Sequence, residues 1–355
     1  MECSNCSRVR PIEDQGTLLL VSTQLNLMNK ISQLFSNEQP QSSAEGNKYF
    51  IPIAYSSREQ LLKGLNKVYE NLTTTEKSDM LIEIGNNNWD SAATHSKPLP
   101  LVQFFARMKH HNLVNMMTDG HFTSYIQPIV DMQSQHVFGY EFLLRPATGH
   151  PAFNPFELFS VAQQTGLHSF LDRAARISAI QTSALHLPLG VKRFVNFLPS
   201  SIYNPNYCLS HTFKAIEDNK LDPQDFVFEV VETERIEDIG HLKNIFSVYQ
   251  KHGMKVALDD VGSGFATLEV LPKLAPDFVK IDRDLIDKCD SDETKQQQII
   301  KIVKCSQSFG ATVLAEGIER KEEWAFCKEH GIELAQGYLL GRPAAAPLDG
   351  AVIEL

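Results

Sequence analysis

From about residue 122 onward the chain repeats one pattern eight times: a short apolar run closes on a polar residue, and a segment of helical spacing follows. The runs are Tyr125-Ile126-Gln127, Gly139-Tyr140-Glu141-Phe142-Leu143-Leu144-Arg145, Arg193-Phe194-Val195-Asn196, Phe226-Val227-Phe228-Glu229, Val256-Ala257-Leu258-Asp259-Asp260, Phe278-Val279-Lys280-Ile281-Asp282, Thr312-Val313-Leu314-Ala315-Glu316 and Glu333-Leu334-Ala335-Gln336. Eight such runs alternating with helices predict a closed (β/α)8 barrel of the TIM type. In that architecture the strand ends, and the loops after them, build one rim. Polar groups recurring at the ends of most strands therefore converge on one pocket.

The run ending in Asp259-Asp260 carries the sharpest chemistry. Neighbouring residues of a regular strand point to opposite faces, so two adjacent carboxylates can aim at one point only where the strand gives way to a loop. Gly262 and Gly264, immediately downstream, supply a turn. Two carboxylates held side by side repel unless a proton or a cation lies between them. Oxygen donors of this kind suit magnesium, manganese or calcium. A solvated turn is the plainer account of an isolated Asp-Asp pair, and the recurrence of polar strand ends argues against it here.

The length of 355 residues predicts about two domains. Residues 17–84 alternate strand-like and helix-like pieces: strands at 17–22, 49–55 and 80–84, helices at 24–35 and 57–72. We read residues 1–100 as a small α/β regulatory domain, 101–121 as a connecting helix and linker, and 122–355 as the barrel. The polar stretches 36–48 and 86–97 are loops, the second an interdomain linker. Residues 101–117 have the spacing of one helix, on which the adjacent His110 and His111 occupy different faces as solvated side chains.

The net charge of -10 argues against binding a nucleic-acid polymer. No apolar segment is long enough to span a bilayer, and residues 1–10 lack the core of a signal peptide, so a cytoplasmic protein is expected. Cys3 and Cys6 form a single Cys-x-x-Cys, half of a tetrahedral zinc site; reduced surface thiols are the simpler reading.

Taken together and in order, these motifs resemble the EAL family of cyclic di-GMP phosphodiesterases over about residues 122–352. The naming motif stands as Glu141-Phe142-Leu143-Leu144-Arg145, with Phe142 in place of the usual alanine. It is followed by Asn196, by Glu229 and Glu232 in Glu229-Val230-Val231-Glu232, by Asp259-Asp260, by Lys280 and Asp282, by Glu316 and Glu319 in Glu316-Gly317-Ile318-Glu319, and by Gln336. The family's barrel has a modified first strand, antiparallel to the others.

The resemblance implies that Glu141, Asn196, Glu229 and Asp259 ligate one magnesium or manganese ion, while Asp259 and Asp260 help hold a second. It implies further that Lys280 orients an attacking water and Glu316 assists its deprotonation. Gln127, Pro128, Leu144, Arg145, Asp282, Glu319 and Gln336 would contact cyclic di-GMP, with Arg145 as the phosphate anchor. Glu232 would fix the loop that begins at Asp259. The implied product is linear pGpG, and relatives of this kind pair as homodimers through the barrel. Phe142, and Val261 where the family carries an aromatic residue, are departures that remove no ligand and could alter loop geometry. The alternative from another class is a barrel that binds cyclic di-GMP without cleaving it; such relatives typically lack a ligand or the lysine, and this chain lacks neither.

Overall fold

The computed structural model describes residues 13–35, 38–42, 47–85, 98–230, 238–262 and 268–347. They fall into two compact units. One comprises Ser7–Gly120 with Phe156–His168, the other His121–Pro155 with Ser169–Leu355.

The first unit is built on a five-stranded sheet of order β2-β3-β1-β4-β5, formed by β1 (Gly16–Ser22), β2 (Gln41–Ser42), β3 (Tyr49–Tyr55), β4 (Leu81–Gly85) and β5 (Leu99–Pro100). Every pairing in it is antiparallel. Leu18 and Leu20, two apart on β1, point to the same face and join Leu61, Leu65 and Val68 of helix Arg58–Glu70, which are spaced i, i+4, i+7. Phe104 and Met108 of helix Leu101–Lys109 complete this core. The short helix Thr74–Asp79 starts with a capping box between Thr73 and Glu76. Lys30 lies 2.8 Å from the same Glu76 carboxylate.

The helical stretch after β5 is broken where the sequence predicts continuity. Helix Leu101–Lys109 ends at His110, whose φ of -108° and ψ of 32° leave the helical region, and a second helix, His111–Asp119, starts at once. His110 thus marks a corner, and the pattern of apolar residues passes through it because both halves bury one face.

The second unit is the expected barrel. Strands β6 (Phe122–Asp131), β7 (Val137–Pro146), β8 (Lys192–Phe197), β9 (Phe226–Val230), β10 (Lys255–Val261), β11 (Phe278–Ile281), β12 (Thr312–Ala315) and β13 (Leu334–Gln336) close into one ring. All neighbours are parallel except β6, which is antiparallel to both β7 and β13. The modified first strand is therefore present. β6 and β7, ten residues each, form a hairpin whose strands are longer than the short runs read from sequence.

Strand alternation sorts the barrel into layers. Ile129, Phe194, Val227, Ala257, Phe278, Leu314 and Leu334 fill one interior layer. Between them, Val195, Phe228, Val256, Leu258, Val279 and Val313 face outward and pack beneath the helices. Phe142 belongs to this outer core and is 4% exposed, so the bulk that replaces the usual alanine lies behind the site, among helix-facing residues.

Candidate active site

Seven of the polar side chains at the rim stand two residues from a member of the apolar interior layer, and Glu141 stands two beyond Gly139. Phe194 leads to Asn196, Val227 to Glu229, Ala257 to Asp259, Phe278 to Lys280, Leu314 to Glu316 and Leu334 to Gln336. On the antiparallel β6 the same step runs backward, from Ile129 to Gln127. A period of two therefore delivers seven polar groups to one plane. The apolar layer below seals that plane from the other end of the barrel.

Lys280 is fully buried at its centre. Its ammonium Nζ lies 2.7 Å from Glu316 Oε1, 2.9 Å from Asp259 Oδ1, 3.0 Å from Glu229 Oε2 and 4.0 Å from Glu141 Oε1. Among the described residues, four carboxylates thus face a single cation, which cannot offset all of them if they ionise together. Burial would push the ammonium down, but Asp259, Glu141, Glu229 and Glu316 hold it charged, well above the ordinary lysine value.

The carboxylates divide. Burial, reinforced by repulsion from their acidic neighbours, drives Glu229 and Glu316 well above the usual carboxylate range and raises Asp259. Glu141 goes the other way. Burial opposes its charge too, but Lys280 and the amides of Gln336 and Asn196 bring it below the ordinary value. Asn196 Nδ2 donates to Glu141 Oε1 at 3.0 Å, and Gln336 Nε2 to Glu141 Oε2 at 2.6 Å and to Gln127 Oε1 at 3.1 Å. Gln127 in turn donates to the Gly341 carbonyl at 3.1 Å.

How two adjacent aspartates reach one site is a matter of backbone. The register of β10 against β11 shifts between Leu258 and Val261, and Asp260 adopts a left-handed φ of 52°. Its N–H turns back to Asp259 Oδ1 at 3.0 Å. Carboxylate oxygens of Asp259, Asp260 and Glu316 then lie within 4.8 Å of one another. The irregularity expected in a loop occurs as a bulge inside the strand. Gly262 follows with a φ of 115°, which strains any other residue, and a Cβ there would lie 2.2 Å from Leu285 Cδ1 and displace that side chain.

The donor set fits a divalent cation. Glu229 Oε1 is buried with no hydrogen-bond partner among the described residues, the acidic excess calls for positive charge, and all candidate donors are oxygens.

The remaining sequence-predicted residues are placed as follows. Leu144, Pro128 and Arg145 lie along the β6–β7 hairpin, with Arg145 half-buried near its rim end and donating to the Leu144 carbonyl at 2.8 Å. Asp282 caps the short helix Arg283–Ile286 through the N–H of Asp284. Glu319 pairs with Arg283 at 2.9 Å. Glu232, Cys3 and Cys6 lie outside the described residues. Sequence reasoning passed over Asp172 and Arg176 of helix His168–His186, which are fully buried and ion-paired at 2.9 Å. Their signal was an acid and a base spaced i, i+4 among apolar positions.

The second unit is thus a closed barrel with one antiparallel strand and an acidic, lysine-centred rim. The EAL domain family profile matches residues 110–343, and the chain belongs to that family of cyclic di-GMP phosphodiesterases. Among relatives, the blue light- and temperature-regulated antirepressor BluF of Escherichia coli K12 is 30% identical over 224 residues, covering 63% of this chain and 54% of its own. The cyclic di-GMP phosphodiesterase PdeL of the same organism is 27% identical over 244 residues, 65% of each chain. The matched region spans about half or less of the length of several relatives, 45% for the probable cyclic di-GMP phosphodiesterase PdeG. A cyclic di-GMP-bound standalone EAL protein from Vibrio cholerae O395 is 33% identical with a TM-score of 0.57, covering 63% of this chain and 93% of that one. Klebsiella pneumoniae BlrP1, in complex with calcium and cyclic di-GMP, is 21% identical with a TM-score of 0.57 and covers 93% of this chain and 96% of that one, a likeness of fold.

Proposed function

We propose that this protein hydrolyses one phosphodiester bond of cyclic di-GMP to give linear pGpG, using divalent cations held at the barrel rim. The observation that carries this reading is the single buried ammonium of Lys280 among four carboxylates, an acidic excess built for cations, in a chain of the EAL family.

Glu141, Asn196, Glu229 and Asp259 would hold one magnesium or manganese ion, and Asp259 and Asp260 would help hold a second. When bound, such ions neutralise phosphate charge and lower the pKa of water enough to make it a nucleophile near neutral pH. Lys280 donates a hydrogen bond to the attacking water and orients it toward phosphorus. Glu316, whose burial favours its taking up a proton, accepts one from that water as the new P–O bond forms, and the 3′ oxygen leaves as its bond to phosphorus breaks and takes a proton from solvent to become the 3′ hydroxyl of pGpG. Arg145 binds the non-reacting oxygens of a phosphate, a role suited to a planar guanidinium. Gln336 and Asn196 keep Glu141 ionised and in place. Pro128, Leu144, Asp282 and Glu319 line the approach of the nucleotide, and Glu232 steadies the loop after Asp259.

The first unit regulates the barrel, contributing no catalytic group, in a cytoplasmic homodimer. No helix among the described residues is long and apolar enough to cross a membrane. Purified protein incubated with cyclic di-GMP and Mg2+ or Mn2+ should release pGpG, and excess chelator should stop it. A second reading, binding without cleavage, draws on the relative BluF, which is named as an antirepressor. Saturable binding of cyclic di-GMP with no pGpG would establish that reading instead.

A further inference from the structure

The backbone N–H of Leu198 lies just past the end of β8, where no strand partner remains to accept it. Asp172 Oδ1 accepts it at 2.9 Å. The other carboxylate oxygen accepts the Ser201 hydroxyl, so one side chain closes both ends of the turn Pro199–Ser201. That turn begins three residues after Asn196, whose amide holds Glu141 at 3.0 Å.

Asp172 is itself held. Arg176 donates to its Oδ2 at 2.9 Å, and each residue is 2% exposed. The second arm of the guanidinium donates to Thr212 Oγ1 at 2.8 Å and reaches the Tyr249 hydroxyl at 3.5 Å. The Tyr249 ring stacks on Phe228 with centroids 4.2 Å apart, and Phe228 directly precedes Glu229. Well-packed apolar residues often replace a buried ion pair at no cost in stability, so stability alone does not explain a charged pair here. Direction does: a carboxylate fixes an N–H and a hydroxyl in place, which an apolar side chain cannot.

We propose that Asp172, oriented by Arg176, is a positioning residue that sets the turn after β8 and thereby the aim of Asn196 at Glu141. The inference rests on the cation-dependent reading of the site, yet one of its readouts needs no cation. Partners that orient ligands in this way typically affect metal affinity by about 10- to 100-fold.

The test uses the full chain. Asp172→Asn keeps shape but loses the acceptor for Arg176 and Ser201. The double variant Asp172→Leu/Arg176→Met removes the pair without stranding a charge, and serves where the single variant fails to fold. Two measurements follow: the Asn196 side-chain amide signal in 15N-asparagine-labelled protein, assigned with Asn196→Ala, and the affinity for Mn2+ by calorimetric titration. We expect the amide signal to move or broaden and the Mn2+ affinity to fall about tenfold or more, with kcat partly recovered at saturating Mn2+ and KM for cyclic di-GMP within about twofold. An unmoved amide signal overturns the proposal, as does Mn2+ affinity within about twofold of wild type when wild type binds the ion. A wild-type protein that neither takes up Mn2+ nor yields pGpG overturns the functional reading instead, and the amide signal then judges Asp172 alone.

Discussion

Lys280 Nζ and Glu316 Oε1 stand 2.7 Å apart across the carboxyl ends of two neighbouring strands, the closest ion pair that Lys280 makes. The pair joins the group that would orient the attacking water to the group that would take its proton. Neither reaches the other by local sequence, since 36 positions separate them; parallel pairing of β11 with β12 brings them side by side.

Replacing Lys280 by Met should therefore act twice. Without divalent cations the carboxylates lose their only close ammonium among the described residues, and the protein should lose about 3 kcal/mol of stability, recovered on adding Mn2+. With saturating Mn2+, turnover should still fall by roughly two to four orders of magnitude while KM changes little. Thermal melts with and without Mn2+, alongside steady-state kinetics, separate the two effects. A loss confined to KM would make Lys280 a phosphate contact.

Cation affinity should depend on pH in a definite direction. Glu229, Glu316 and Asp259 are raised by burial and by one another, and only their deprotonated forms ligate. Below those raised values each bound ion displaces protons, so Mn2+ affinity should fall as pH falls and rise toward alkaline pH. Calorimetry in two buffers of different ionisation enthalpy should show proton release on binding. Affinity that is flat from mildly acidic to mildly alkaline pH would contradict this account of the carboxylates.

Gly337→Ala should be costly for a steric reason. A Cβ there would lie 2.1 Å from the carbonyl oxygen of Ile318, in a segment where Ile318 N–H donates to the Gln336 carbonyl at 3.0 Å. We expect a loss of about 1–3 kcal/mol and a drop in kcat, because the backbone that carries Gln336 must move. Gly149→Ala is the contrast: φ is 84°, yet nothing lies within 4 Å of the added methyl, so only a backbone cost of about 1 kcal/mol is expected. Equal melting temperatures and equal turnover for the two variants would rule out the close approach.

The first unit includes the segment Phe156–His168, which lies in sequence between β7 and the rest of the barrel. Within that unit Arg107 Nε donates to the Thr165 carbonyl at 2.9 Å, its guanidinium pushed down to about 10 by burial. Helix His168–His186 then leads, one turn later, to Asp172. Arg107→Met should loosen the segment, measured as faster proteolysis within 156–168, and change kcat by about twofold or more without altering any rim residue. The two substitutions Arg107→Met and Asp172→Asn should be non-additive in kcat. Faster proteolysis with unchanged kcat would mean that this segment carries no signal.

Period-two alternation determined most of what could be known from sequence alone. In most runs the polar residue that closes the run reaches the rim, and in two of them Glu141 and Lys280 do so from inside it, because strand geometry dictates which side a residue takes whatever lies around it. The eight runs, the antiparallel first strand implied by the family resemblance, and the convergence of Glu141, Asn196, Glu229, Asp259, Lys280, Glu316 and Gln336 were legible for that reason. Only the tertiary structure decided the rest. The left-handed backbone of Asp260 depends on the bulged register of β10 against β11, and the corner at His110 lies inside an unbroken apolar pattern. Phe142 faces the helices because its neighbour Glu141 faces the interior. Asp172 reaches Leu198 across 26 positions, and Phe156–His168 joins a unit from which it is distant in the chain. Each of these depends on which distant segments meet, and local propensity carries no record of that.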